Sequence, residues 1–176
     1  MPDPNPSRGL PAFEYVELYN TLSYPVKLQG WQITDPAGPG SVNVPFRLPP
    51  NGYAVIGKSE AIEALEQAGV AATVTDTDMP TLNNGGEQIS LISSRGDTIH
   101  QVSYKPAWYR VDSLEDGGYS LEMINPLSPC KGAINWRGTR ADSGGTPGRP
   151  NSVENRFIDS IPPEATAVEP LDSNVL

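Results

Sequence analysis

The stretch E-Y-V-E-L-Y-N (Glu14–Asn20), followed by V-K-L-Q-G-W-Q-I-T-D (Val26–Asp35), decides the fold class. In the first segment, Val16 and Leu18 alternate with polar or amphipathic neighbours, which is the period-2 pattern of a half-buried strand. The second segment repeats this alternation, and Gly30 marks the place where its backbone is expected to kink or bulge. Both segments therefore predict short β-strands.

The rest of the chain continues in the same style. The turn L-P-P-N-G (Leu48–Gly52) precedes the apolar run Tyr53–Ile56, and its Pro-Asn-Gly sequence suits a tight reversal. The stretch from 89 to 104 predicts a β-hairpin that turns at Ser94–Asp97, and Tyr119–Ile124 predicts a last strand. The pattern predicts an all-β sandwich of about seven to nine short strands.

One segment interrupts the strands with a helical pattern, at about residues 59–68. Ser59 is a candidate N-cap, and Gly69 is a candidate terminator. Ile62 and Leu65 lie three residues apart, so they share one face of a helix. We expect one short surface helix between two strands.

Composition excludes several classes of protein. The chain has 176 residues, with 12 Lys+Arg against 21 Asp+Glu, and a formal net charge of −9. An acidic chain with scattered cations has no electrostatic basis for binding a phosphate backbone, so we expect no nucleic-acid partner. No apolar run approaches the roughly 20 residues of a membrane-spanning helix, and no signal-peptide pattern precedes the strands. We therefore expect no direct membrane insertion.

Changes in composition and hydrophobic pattern along the chain suggest the domain limits. Residues 1–12 carry four prolines and predict an irregular lead-in. Residues 13–153 hold the predicted sandwich. Residues 154–176 read as a proline-containing linker and the start of a following β-domain, so we interpret the chain as a piece of a longer protein.

Groups able to do chemistry are few, and we expect no enzyme activity, no cofactor and no metal. His100 is the only histidine and falls in a predicted strand, where a side chain on a sheet face is expected. Cys130 is the only cysteine and has no candidate base near it in sequence. Asp76 and Asp78 alternate like calcium ligands, but the glycine and bidentate glutamate of an EF-hand loop are missing, so a solvated loop is favoured.

Two short segments suggest contacts with partners. Arg95-Gly-Asp97 is the tripeptide that many integrins recognise, but a hairpin turn explains each of its residues. Trp108, Tyr109 and Arg110 fall in a predicted loop and form the candidate partner-contact loop. The alternative is that Trp108 folds back and caps one end of the sandwich.

Seven segments in order resemble the lamin tail domain family, in the form found in bacterial surface and secreted proteins. The resemblance covers roughly residues 13 to 152 and rests on these segments: Glu14–Asn20, Val26–Asp35, Phe46–Tyr53, Leu82–Ile92, Gly118–Glu122, Asn135–Trp136 and Gly144–Asn151. It implies an immunoglobulin-like β-sandwich and a non-enzymatic interaction module. It carries no catalytic residues and implies no filament, because the chain has no coiled-coil rod.

The resemblance also frames the expected function. Family members usually open with a short strand, and here the proline-rich start stands in its place, so one sheet is expected to have a bare edge. We expect an interaction or adhesion module of an extracellular or cell-surface bacterial protein, whose partner is a protein or a glycan, with self-association through the bare edge as one route. There are two alternatives. One is a carbohydrate-binding module, which requires Trp108, Tyr109 or Tyr24 to present flat faces together. The other is an inert spacer.

Overall fold

A computed structural model of the chain describes residues 1–40, 42, 45–76 and 78–155. The expected linker and following domain, from residue 156 onward, lie outside the described residues. Two 3-10 helices occur, at Pro106–Tyr109 and Pro129–Asn135. The strands and α-helices are, in chain order, β1 (Val16–Tyr19), β2 (Val26–Lys27), β3 (Gln32–Asp35), β4 (Gly38–Pro39), β5 (Arg47–Leu48), β6 (Tyr53–Gly57), α1 (Ser59–Gln67), β7 (Thr73–Thr75), β8 (Gln88–Ile92), β9 (Thr98–Ser103), α2 (Asp112–Glu115), β10 (Leu121–Met123) and β11 (Trp136–Gly138).

The strands pair mostly antiparallel, and the expected all-β sandwich is confirmed. One sheet has the order β1-β6-β7 and another has the order β4-β3-β8-β9, while β2-β5 and β10-β11 form two-stranded pairs. The predicted hairpin is β8-β9, with Ile89 opposite Val102 and Leu91 opposite His100. Strands β2, β4 and β5 are only two residues long, so the strands are shorter and more finely divided than the sequence suggests.

The two faces of the β1-β6-β7 sheet pack into different apolar clusters. On β6, Ala54 and Ile56 face a central core, while Val55 faces a second cluster under α1, as the period-2 geometry of a strand requires. The central core consists of Leu28, Ile33, Val42, Leu48, Ala54, Ile56, Val74, Met79 and Leu82. The second cluster consists of Met1, Tyr15, Val55, Ile62 and Leu65.

Helix α1 connects β6 to β7, which run parallel, so it forms a crossover over the sheet. Ile62 and Leu65 are buried against the sheet, as their spacing predicted. The predicted N-cap is wrong by one residue: Ser59 is already helical, and Lys58, in extended conformation, is the N-cap without a side-chain hydrogen bond. The extended strand conformation reaches Lys58 because the neighbouring Gly57 carbonyl still accepts a hydrogen bond from Asp76 N–H at 2.9 Å.

The predicted turn at Leu48–Gly52 is confirmed, and the buried side chain of Asn20 holds it in place. In the Leu48–Gly52 turn, Gly52 N–H donates to Pro49 O at 3.0 Å. Asn20 closes this end of the sandwich, since its Nδ2 donates to Tyr24 O, Leu48 O and Pro49 O while its Oδ1 accepts from Leu22 N–H. Gly30, with φ of 81°, makes the expected kink.

Residues 1–12 contain no helix or strand, as the prolines predict, yet they pack on the domain. Met1 is buried, and its nitrogen donates to Tyr15 O at 2.8 Å. Leu10 N–H donates to Ser143 O at 3.1 Å. This segment therefore belongs to the folded surface.

Candidate functional site: an apolar groove beside strand β1

An apolar groove of about 440 Å³, called here the β1 groove, opens between the layers of the sandwich. Its volume lies within the range of roughly 300–1,000 Å³ that is typical of ligand pockets. Strands β1, β8, β9 and β10 contribute apolar side chains that remain half-buried, although their alternation predicts an interior position: Val16, Leu18, Ile89, Leu91, Val102, Leu121 and Met123. A groove lined by half-buried apolar side chains is a candidate interaction site.

The groove also explains the position of Trp31. Alternation predicts Trp31 as the large core residue between the sheets, together with Ile33. Ile33 is buried as expected, but Trp31 is only half-buried, packing against the central core with one side and lining the groove with the other. Trp31 thus lies beside the core, and the layers do not close over its ring.

Strand β1 forms an edge of its sheet. It pairs with β6, and no other described strand pairs with it. Asn20 N–H, just after β1, donates toward β6 to Gly52 O, whereas Tyr15 O, just before β1, accepts from Met1 on the opposite side. Because backbone hydrogen bonds alternate in direction along a strand, the peptide groups of Glu17 and Tyr19 point away from β6. Such an edge is a template for another strand.

Acidic side chains line the groove, and no lysine or arginine among the described residues does so. The acids are Glu17, Glu122 and Glu154. Glu17 Oε2 accepts a hydrogen bond from Gly148 N–H at 2.6 Å, and burial, the largest cause, raises the pKa of Glu17 to about 8. The groove is therefore a weakly acidic, largely apolar environment.

Glu122 is buried and fully engaged by hydroxyl groups. Its Oε1 accepts from Ser120 Oγ at 3.2 Å and from Thr146 Oγ1 at 2.9 Å, and its Oε2 accepts from Ser152 Oγ at 2.7 Å. These bonds join β10 to the segment after residue 145. Since a buried carboxylate without partners is very costly, this network fixes the β10 wall of the groove.

His100 lines the groove from β9, on a sheet face as expected. Burial lowers its pKa, so the ring is neutral at pH 7. Its Nε2 is buried and makes no hydrogen bond to any described residue. No carboxylate contributes to the shift of its pKa, so the structure does not pair His100 with an acid as a catalytic base would require.

The candidate partner-contact loop occupies a 3-10 helix and the residue that follows. Tyr109 is 5% exposed and its hydroxyl donates to Tyr119 O at 2.9 Å, so its ring is not offered to a partner, contrary to the expectation for this loop. Trp108 is half-buried and lies 6.4 Å from the ring of Trp136, and Arg110 is exposed. Contact of Trp108 and Arg110 with a partner stays a prediction.

The remaining sequence candidates are turns and isolated groups. Asp76 is fully buried, and its Oδ1 accepts from Asp78 N–H at 3.0 Å. Among the described residues, no group of three or more His, Cys, Asp or Glu side chains is placed to hold a metal ion. The Arg95-Gly-Asp97 tripeptide forms the hairpin turn, closed by Ser93 N–H to Asp97 O at 2.8 Å, and Cys130 is exposed and free.

Sequence patterns missed the acidic lining of the groove. Alternation correctly places Glu17 and Glu122 on the strand faces opposite their apolar neighbours. However, alternation also predicts that those faces are exposed to solvent. The segment around residues 144–152, which has no periodicity, supplies the hydroxyl and N–H donors instead. The clustering of Ser, Thr and Gly there is the one signal that indicated polar partners.

The fold and the groove define a class, a β-sandwich with an edge strand beside an apolar groove. The family model for the lamin tail domain matches residues 1–106, and the chain belongs to this family. The family consists of immunoglobulin-like, non-catalytic domains that bind proteins. No curated protein matches the chain. None of the helices in the described part of the chain has the length and apolarity needed to cross a bilayer.

Proposed function

We propose that this domain is a non-catalytic protein-interaction module that binds an extended segment of a partner protein along β1. The observation that supports the proposal is the coincidence of an edge strand with an apolar groove of about 440 Å³ beside it. Strand addition uses both features, since the main chain of the edge gives affinity and the pockets for alternate side chains give specificity.

The length of strand β1 sets the length of the bound segment. Strand β1 has four residues and, at about 3.3 Å per residue, offers an edge of about 13 Å. A strand of four to six residues would place two or three side chains on its inner face. Val16 and Leu18 from β1 and Leu121 from β10 would then lose their remaining exposure, at roughly 25 cal/mol per Å² of apolar surface.

A titration of isotope-labelled protein tests this proposal. The probe is an acetylated, amidated peptide that alternates valine or isoleucine with threonine, and its control has the same composition with the apolar residues consecutive. We expect NMR shift changes at the amides of residues 15–19 and at the methyl groups of Val16, Leu18 and Leu121 with the alternating peptide. Changes confined to the region of Trp108 and Arg110 would overturn the groove as the recognition element.

Matched variants sharpen the test. Leu121→Glu places a charge in the groove, and Val102→Glu does so from another strand, so both are expected to weaken binding at least tenfold. Ile134→Glu makes the same kind of change at an apolar side chain that is 71% exposed and outside the groove, and it is expected to leave binding unchanged. Thermal unfolding of each variant identifies any loss caused by misfolding.

We also propose that the module works outside the cell, in a secreted or cell-surface bacterial protein with an adhesive role. The support is the resemblance of the sequence to bacterial lamin tail domains and the net charge of −9, which suits an exported surface. Biotinylation of intact cells with a membrane-impermeant reagent, followed by detection with a specific antibody, is expected to label the protein but not a cytosolic marker. Labelling only after lysis would contradict it.

No specific contact favours glycan binding. Of the three aromatic residues that this alternative requires, Tyr109 is buried, Trp108 is half-buried near Trp136, and Tyr24, at 59% exposed, presents an open ring. A glycan array that gives a signal lost in Trp108→Ala would reopen that alternative. The absence of both peptide and glycan binding would leave the spacer alternative.

A further inference from the structure

Three acidic side chains line the β1 groove. Glu17, Glu122 and Glu154 line it, and no described lysine or arginine does. The nitrogen of Met1 lies near Glu17, but burial lowers the pKa of this α-amino group to about 5, so it is neutral at pH 7. His100 is neutral as well, because burial lowers its pKa. Among the described residues, the lining of the groove thus offers Glu17 no cationic side chain.

Glu17 is the acid best placed to receive that cation. Both carboxylate oxygens of Glu122 already accept hydrogen bonds from hydroxyl groups. Glu17 uses Oε2 to accept from Gly148 N–H, while Oε1 accepts no hydrogen bond from a described residue. Its position between Val16 and Leu18, in the middle of the edge strand, sets it directly opposite any strand that is added there.

We propose that the occupant of the β1 groove is an extended segment of a partner protein in which a lysine or arginine stands between two apolar residues, so that the apolar side chains fill the groove and the cation reaches Glu17 Oε1. This inference rests on the proposed function and specifies the chemistry of the partner. The spacing follows from strand geometry: Glu17 points to the face opposite Val16 and Leu18, and residues paired across two strands share a face.

A second copy of this chain is a poorer occupant. A partner edge formed by another β1 would bring a second Glu17 to the same interface, and like charges that face each other across a strand pair are unfavourable. An inward-facing charge on an edge strand is a device that prevents unselective pairing of edges. When Glu17 is ionised, above its pKa of about 8, its charge therefore favours a cationic strand over self-association.

Calorimetric titration of the full chain with three peptides tests the inference. The first contains Val-Lys-Val between threonines, the second has norleucine in place of lysine, and the third has glutamate there. We expect the lysine peptide to bind about tenfold more tightly than the norleucine peptide at pH 8.5 and low salt, as a charge-assisted hydrogen bond implies, and the glutamate peptide to bind more weakly than either. Glu17→Gln is expected to remove the preference for lysine, and Glu63→Gln, at an exposed position on α1, is expected to keep it.

The dependence on pH supplies an independent readout. In the domain without a bound peptide, the pKa of Glu17 is about 8, so at pH 6.5 its carboxyl must lose a proton before it can pair with lysine. The lysine peptide is therefore expected to bind more weakly at pH 6.5 than at pH 8.5. The groups that face Glu17 are Glu122, the α-amino group of Met1 and the N–H of Gly148. The norleucine peptide is expected to show no such change.

The outcomes separate the inference from the proposed function. Equal binding of the lysine and norleucine peptides, or a lysine preference that persists in Glu17→Gln, overturns the inference while the groove remains a strand-binding site. Failure of all three peptides to bind overturns both. A dimer in sedimentation equilibrium that Leu121→Glu dissociates also overturns the inference, since it makes a second copy the occupant.

Discussion

Replacement of Asn20 by alanine is expected to destabilise the domain strongly. The side chain is 4% exposed, and its amide bonds three carbonyl oxygens at 2.9–3.1 Å and one backbone N–H at 3.0 Å. The amide group has two N–H donors for three carbonyl oxygens, so two of the carbonyls share a donor, and with the bond to Oδ1 we count three hydrogen bonds. At a net value of about 1 kcal/mol per hydrogen bond, the loss in the free energy of unfolding is about 3 kcal/mol. For a domain of this size that lowers Tm by about 6–12 °C.

Urea unfolding followed by tryptophan fluorescence measures the loss. Asn84→Ala, at an exposed position, is the control and is expected to change the free energy of unfolding by less than about 0.5 kcal/mol. Asn20→Asp is expected to cost more than Asn20→Ala at pH 7, because a carboxylate would face the carbonyls of Tyr24, Leu48 and Pro49 without a proton to donate. A loss below about 1 kcal/mol in Asn20→Ala would refute the view that this amide closes the end of the sandwich.

Three further changes probe the groove and its surroundings. Folding raises the pKa of Glu17 to about 8, so the stabilisation that this group supplies is lost as pH rises between about 4.5 and 8. Burial lowers the pKa of the Met1 α-amino group to about 5, which has the opposite effect between about pH 5 and 8. The test is therefore the difference between the variants: Glu17→Gln is expected to lose less stability than the wild type over this range in urea titrations at several pH values. His100→Leu removes a buried nitrogen without a described partner and is expected to leave the free energy of unfolding unchanged or raise it by up to about 1 kcal/mol, while a clear loss would show that His100 has a partner. Gly148 and Gly96 both have positive φ, of 77° and 87°, but of these two only Gly148 has a backbone atom, Ala71 O, within 2.9 Å of an added Cβ. The Tm measured by calorimetry is therefore expected to fall further in Gly148→Ala than in Gly96→Ala. Equal losses would mean that backbone strain alone is responsible.

Local patterns predicted the elements whose signals are local. Alternation located β1, the β8-β9 hairpin and β10, and the spacing of Ile62 and Leu65 located α1, because each signal extends over several consecutive residues. The two-residue strands β2, β4 and β5 are too short to give a periodicity. Whether an alternating side chain is fully covered depends on the opposite layer, so alternation places Trp31 at the core but does not predict that its ring stays half-buried.

The candidate site was harder to predict because distant segments build it. The donor to Glu17 is Gly148, 131 residues away along the chain, and no local pattern encodes that contact. The loop of Trp108 to Arg110 stood out in the sequence because aromatic residues are conspicuous, whereas the groove is lined by ordinary strand residues such as Val16 and Leu121. An interaction surface made of half-covered core positions has the same sequence signature as a core.

Polar networks, more than apolar packing, hold the walls of the β1 groove in place. Asn20 fixes the end of β1, and Glu122 ties β10 to the segment after residue 145 through the hydroxyl groups of Thr146 and Ser152. Asn135 braces the loop between β10 and β11, since its Oδ1 accepts from Asn125 N–H and its Nδ2 donates to Asn125 O, both at 2.9 Å. Asn20 and Glu122 themselves line the groove, and their bonding partners all belong to this chain, so the walls are ordered before a partner binds. A bound strand then meets a surface that is already ordered, which reduces the entropic cost of association and favours recognition of a short segment.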